Sequence, residues 1–239
     1  MRMAMTTAFV AVLTTLALAA DVWDKPFTEW SMKDADKVLT DSPWAGKASL
    51  RHARAGANLG AVPDWDLLVS VRTALPYKQA LIRKQLGASE KVTPEQESRL
   101  AAPEPQYVIA IGGIPRAFYA QAAAIARATT LTRAHKEPLK VRDATVLLFD
   151  REGRQVAPEP PPARGGCGPP PPRAGGGFGG FGFSEDKSGI TATLFLGFAK
   201  DDPIAAGEGD VELETVIGAY AVNKKFKPKD MVANGVLAF

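Results

Sequence analysis

The chain has 239 residues, with 29 lysines and arginines against 26 aspartates and glutamates, and a single cysteine. That length suits one large domain or two small ones with a real hydrophobic core. A formal charge of +3 spread along the sequence gives no basis for a nucleic-acid partner, and one thiol excludes an intramolecular disulfide.

The opening residues read as an export signal. Arg2 supplies a positive charge, an uncharged, largely apolar run follows from Thr6 to Leu18, and Ala17-Leu18-Ala19 gives a small-x-small cleavage site. The run falls short of the roughly 20 apolar residues a spanning helix needs. No cysteine follows the site to accept a lipid anchor. The expectation is a protein exported to the periplasm or outside the cell. Residues 1–19 are removed, and no transmembrane segment remains in the mature chain from Ala20.

The mature start is rich in tryptophan, with Trp23, Trp30 and Trp44 close together. Core packing is the expected role of these indoles, with a ligand-binding aromatic surface as the alternative. Ser31 as N-cap and Asp34 three residues on predict a helix. Met32, Ala35, Val38 and Leu39 lie on its apolar stripe, and Ser42-Pro43 ends it.

Residues 65–73 alternate as a strand, with Leu67, Val69 and Val71 on one face. A second helix follows, with Pro76 in its first turn and Gly87 past its end. Residues 88–105, polar and carrying Pro94, Pro103 and Pro105, read as a loop. Tyr107 to Ile111 predicts another strand. Gly112-Gly113-Ile114-Pro115 then reads as a turn into an alanine-rich helix whose inner face holds Phe118, Ala122, Ile125 and Thr129.

The near-continuous apolar run 144–149 predicts a strand covered on both faces. The composition then changes. Residues 156–183 hold a proline cluster, Cys167 and a Gly/Phe tract with Phe178, Phe181 and Phe183. Such a segment has too little apolar content to offset the ordering of its backbone. It is expected to be a disordered insertion between two strands, since strand character resumes at Ile190 to Phe198. Its phenylalanines and cysteine are the candidate interaction residues, with a protein partner as the expected ligand.

The last forty residues carry a hairpin. Val211–Ile217 and Tyr220–Phe226 flank Gly218-Ala219, a glycine-first loop of the type II′ kind. The register sets Val211 against Phe226, Glu212 against Lys225, Thr215 against Val222 and Asp210 against Lys227. Leu213 against Lys224 is its one poor match. Val236 to Phe239 is expected to add a final strand.

Two stretches carry a resemblance. Trp30-Ser31-Met32-Lys33-Asp34-Ala35-Asp36-Lys37-Val38-Leu39-Thr40-Asp41-Ser42-Pro43-Trp44-Ala45 resembles the opening of a group of uncharacterised exported bacterial proteins. The tail Lys225-Phe226-Lys227-Pro228-Lys229-Asp230-Met231-Val232-Ala233-Asn234-Gly235 is similar to their ending. Relatives in that wider group carry a domain named for a Gly-Trp-x-Thr-Asp motif, which is absent from this sequence. The resemblance implies export and a shared fold. It implies no catalytic or binding residue.

Catalytic and metal signatures are weak. His52, His135 and Cys167 are too scattered for a zinc site, and the two histidines read as surface residues. There is no Gly-x-Ser-x-Gly elbow, and the glycine tract lacks a P-loop ending. Asp201, Asp202, Glu208 and Asp210 cluster in a Gly/Ala-rich loop. Acid clusters can serve glycoside hydrolysis or calcium, but this one has neither a calcium-loop spacing nor a recognisable acid/base pair, and a solvated loop is the simpler reading. No cofactor or metal is expected. A membrane β-barrel, suggested by the terminal aromatic Phe239, is set aside because about six short strands are counted against a minimum of eight.

The expected fold is a single α+β domain of mixed or antiparallel sheet with about three helices, built from residues 20–155 and 184–239 and interrupted by the Pro/Gly/Phe insertion. The expected function is non-catalytic binding or scaffolding in the cell envelope. A carboxylate-dependent hydrolase or a small-ligand-binding protein is the alternative.

Overall fold

The computed structural model describes residues 21–54, 60–86, 91–158 and 189–239. The signal-peptide reading and most of the insertion, including Cys167, Phe178, Phe181 and Phe183, fall outside these residues. So does the glycine expected after the second helix.

Two 3-10 turns, Val22–Asp24 and Phe27–Glu29, lead into helix α1, Met32–Thr40. Its start is the expected capping box. Ser31 Oγ accepts from the Asp34 N–H at 3.1 Å, and the Asp34 carboxylate accepts from the Ser31 N–H at 2.9 Å. Ala35, Val38 and Leu39 are its buried face. The strands β1 (Ala45–Lys47), β2 (Ser49–His52) and β3 (Leu68–Val71) come next, followed by helix α2 (Leu75–Leu86), which packs on α1.

Helix α3, Pro94–Ala101, replaces the loop expected over 88–105. The signal was local and was outweighed by the prolines. Thr93 and Gln96 form a second capping box, and Pro94 takes the first helical position, where its missing N–H costs nothing. The helix buries no side chain, so it shows no apolar stripe to read. With α4, below, there are four α-helices among the described residues instead of about three.

Strand β4 runs from Gln106 to Pro115, so Gly112-Gly113-Ile114-Pro115 is not a turn. The register against β8 shifts between Ile111 and Ile114, which makes the glycine pair a β-bulge. Gly113 has φ +80°, and a Cβ there would collide with the Asp66 carbonyl oxygen, so only glycine fits. A 3-10 turn, Arg116–Gln121, then leads to α4, Ala122–Ala128. Phe118, Ile125 and Thr129 are buried as expected.

Strands β5 (Thr130–Arg133), β6 (Lys136–Phe149) and β7 (Gln155–Val156) follow. The run 144–149 is not covered on both faces: only Leu148 is buried, and Ala144 and Thr145 are exposed. Val156, assigned from sequence to the insertion, belongs to β7. After the insertion come β8 (Thr191–Ala199), β9 (Val211–Ile217), β10 (Tyr220–Phe226), β11 (Val232–Ala233) and β12 (Val236–Leu237).

The β9–β10 hairpin has the expected register from Val211↔Phe226 to Ile217↔Tyr220. Gly218 has φ +61° and Ala219 has no positive φ, as a type II′ loop requires. Glu212 and Lys225 pair at 3.8 Å. The ladder stops at Phe226, so Asp210 and Lys227 do not join it. The tail forms the small β11–β12 ladder rather than a strand of the main sheet.

The main sheet is antiparallel throughout and almost closes on itself. Its order is β1-β3-β4-β8-β6-β5-β9-β10-β2. The two ends of that order are one stretch of chain, interrupted only at Ala48. Its first half pairs with β3 and its second half with β10. The long strand β6 does the same on the opposite side, pairing β5 through Lys136–Lys140 and β8 through Val141–Phe149. The result is a barrel-like wall of eight staves. The sequence count of about six strands missed it because both dual-purpose strands are recognised only by their distant partners.

The wall encloses the core. Tyr107, Ile109 and Ile111 of β4 alternate inward, as do Leu194, Leu196 and Phe198 of β8 and Val211, Leu213 and Ile217 of β9. One end is stoppered by Phe118, whose ring lies 5.2 Å from that of Trp65, and by α4. The opposite end is filled by Phe239, with ring centroids 5.2 Å from Tyr107 and 5.9 Å from Phe226. An apolar interior with Glu212, Lys225 and Arg142 outside reverses the order of a lipid-spanning barrel. No helix among the described residues is long and apolar enough to cross a membrane.

Candidate functional site

The carboxylate loop singled out from sequence lies at the Tyr107 end of the barrel. Strand β5 directs Arg133 inward, opposite Val211, where its side chain is only 3 % exposed. A guanidinium so deeply enclosed needs compensation. The 200–210 loop provides it: Arg133 donates to the Asp202 carbonyl at 2.9 Å and to the Asp202 carboxylate at 2.6 Å. Lys136, the first residue after the two-residue β5–β6 turn, donates to Asp202 at 3.0 Å and to Glu208 at 2.6 Å. The Tyr107 hydroxyl accepts from the Ile204 N–H at 2.9 Å and holds the middle of the loop.

Two cations thus bind two carboxylates, and the loop is latched over the barrel mouth. The latch is not fully satisfied. Arg133 Nε and Glu208 Oε2 are both buried without a hydrogen-bond partner among the described residues. Among the described residues Asp201 and Asp210 stay outside it: Asp201 pairs with Arg142 at 3.8 Å on the surface. Among the described residues, no cluster of three or more His, Cys, Asp or Glu side chains is arranged to hold a metal.

The electrostatics follow from these contacts. Hydrogen bonds from Arg133, then from Lys136, hold the Asp202 carboxyl below its ordinary value of 3.8. Lys136 is raised, first by Glu208 and then by Asp202. Burial raises the Tyr107 phenol. A depressed carboxylate stabilises the fold above its unfolded pKa, and the gain is lost as pH falls through the lower folded value. Acidification below about pH 4 should therefore weaken the fold through Asp202. Urea midpoints measured from pH 7 to pH 2 should fall less steeply for Asp202→Asn than for the parent chain.

The tryptophans are packed inside. Trp30 and Trp44 are 1 % and 0 % exposed, and Trp23 meets Trp44 edge-on at 5.2 Å. Trp44 Nε1 donates to the Ala238 carbonyl at 2.5 Å, and Trp30 Nε1 donates to the Lys25 carbonyl at 3.2 Å. They line no open aromatic surface.

His135 sits exposed in the β5–β6 turn at φ +58°. His52 is half-buried, not a surface residue as expected. Its Nε2 lies 2.9 Å from the Gly60 carbonyl and its ring 5.4 Å from Tyr220.

Sequence reasoning found the acids and missed the bases. Arg133 and Lys136 lie far from Asp202 along the chain. Their one local sign was the two-residue spacing across a turn, which places both at the start of a hairpin. Comparison with family models, with curated proteins and with solved structures finds no match to this chain.

Proposed function

We propose that this chain is an exported, non-catalytic binding or scaffolding protein of the cell envelope. In this reading a single α+β domain, residues 20–155 with 184–239, is a rigid platform. The Pro/Gly/Phe insertion carries the partner-binding residues Phe178, Phe181 and Phe183.

One observation supports the platform role above the others. Val156, before the insertion, and Ala192, after it, both pair with Leu148, from opposite sides of β6. Two ladder spacings put the two ends about 10 Å apart. A long segment of chain is therefore held at both ends by the two strands that flank β6 in one sheet, the usual way a rigid scaffold presents a binding loop.

The hydrolase alternative is disfavoured by the position of its acids. Asp202 and Glu208 are already bound to Arg133 and Lys136, so neither is free to act as an acid–base pair on a substrate.

The test uses two mature proteins, one intact and one with residues 159–188 replaced by a short Gly/Ser linker. Because the ends are close, the exchange should change stability by no more than about 1 kcal/mol. In crosslinking capture from the cell envelope, a partner should be retained by the intact chain. It should be lost with the linker variant and with Phe178, Phe181 and Phe183 all changed to alanine. Equal capture by all three would move the binding surface to the folded domain and overturn this reading.

A further inference from the structure

The one poor match in the C-terminal hairpin, Lys224 opposite Leu213, is placed where a lysine is costly. Leu213, Val222 and Phe226 are each 1 % exposed, so Lys224 shares the inner face of β10 with them. The ladder from β10 to β2 ends at Asn223↔Ser49, and the chain before Ala48 turns away to pair with β3. A wedge therefore opens between β1 and β10, and Lys224 is the first residue inside it.

Gly46 forms the facing wall. A Cβ on Gly46 would lie 2.5 Å from Lys224 Nζ, so the amine occupies the room left by the absent side chain. The Phe226 ring lies 6.0 Å from Nζ. The side chain is half-buried, and among the described residues its nitrogen has no hydrogen-bond or ion-pair partner.

Neighbouring charges leave the amine alone. Lys47 is bound to Asp66 at 2.8 Å, and Lys225 pairs with Glu212 at 3.8 Å. Asp41, after α1, acts on Lys224 only through space. Burial pulls the amine below the usual lysine range, with Asp41 opposing.

We propose that Lys224 is a covalent capture site for small aldehydes, which enter the wedge between β1 and β10 and form an imine with Nζ. The nitrogen lone pair attacks the carbonyl carbon, forming the C–N bond, and the carbonyl π pair moves to oxygen. A proton passes from nitrogen to that oxygen to give a carbinolamine. Loss of water then breaks the C–O bond and leaves C=N. Amine and aldehyde become imine and water, and no oxidant or reductant is involved. A partly desolvated amine on a rigid strand suits the attack, because the neutral form is the nucleophile.

The test is reductive trapping of the folded protein with propanal and cyanoborohydride near neutral pH, read residue by residue by peptide mass spectrometry. Lys224 should be alkylated on the order of fivefold faster than the exposed Lys225 and Lys229. Its rate–pH profile should inflect at a lower pH than theirs. In denaturing urea the three rates should converge. Gly46→Ala, which pushes the flexible amine out of the wedge, should bring Lys224 down to the rate of its neighbours. Equal rates in the folded parent protein, an inflection no lower than that of Lys225 and Lys229, or a difference that survives in urea would each overturn the assignment.

Discussion

Arg133→Met is expected to destabilise the fold by about 3–5 kcal/mol, the cost of leaving one member of a buried ion pair without its partner. The guanidinium is 3 % exposed, and the Glu208 carboxylate beneath the loop is 11 % exposed. Without Arg133, Glu208 keeps only Lys136, and its second oxygen already lacks a partner. Asp202 suffers less, because its side chain is 57 % exposed and water can replace the lost bonds.

The double variant Arg133→Met with Glu208→Leu separates the two contributions. Removing both buried charges removes the desolvation penalty as well, so most of the lost stability should return. Urea unfolding of the three proteins at pH 7 is the measurement. A single variant within about 1 kcal/mol of the parent would mean that Glu208 finds solvent when the latch loosens.

Trp44→Ala is the second large effect, at about 3–5 kcal/mol. The indole is fully buried, meets Trp23 edge-on, and fastens the chain's last residues through Ala238. Its loss opens a cavity that rigid strands close poorly. It also leaves the Ala238 carbonyl without its donor. Trp44→Phe keeps much of the volume and drops the N–H, so it should cost about 1–3 kcal/mol, the penalty of an unmet buried acceptor plus a small void. The urea midpoint should fall in the order parent, Trp44→Phe, Trp44→Ala. If Phe and Ala were equally damaging, the hydrogen bond would outweigh the packing.

What could be read from sequence follows the range of the interactions. The capping box at Ser31 and Asp34 closes within three residues, and the β9–β10 register is set by a two-residue loop. Both are local and both were legible. The burial of three tryptophans followed from their area alone. Helix α3 was obscured because its capping box was hidden among prolines and it buries nothing. The Gly112-Gly113 bulge was read as a turn, since a glycine pair supports either, and only the partner strand β8 decides between them.

The site divides the same way. Asp202 and Glu208 stand together in sequence and were found. Arg133 and Lys136 join them only after β5 pairs with β9. Lys224 was visible as a mismatch in the hairpin. The Gly46 wall that makes room for it is adjacent in space but distant along the chain, so the mismatch had no physical reading before the fold was in view.

The shared strand from Ala45 to His52 also constrains how the chain reaches its native state. Ser49 and Asn223 are 174 positions apart, yet the hydroxyl of one donates to the carbonyl of the other at 3.1 Å. Contacts of that span are formed late, because a long loop must close before any of them is rewarded. The seam between β2 and β10 therefore cannot form until the last hairpin has left the ribosome. Refolding should show an early fluorescence change around Trp30, whose indole bonds locally to the Lys25 carbonyl just before α1, followed by a slower phase as the seam zips. A nascent or truncated chain lacking β10 would expose the unpaired edge of β2, and it is that edge a chaperone would have to shield.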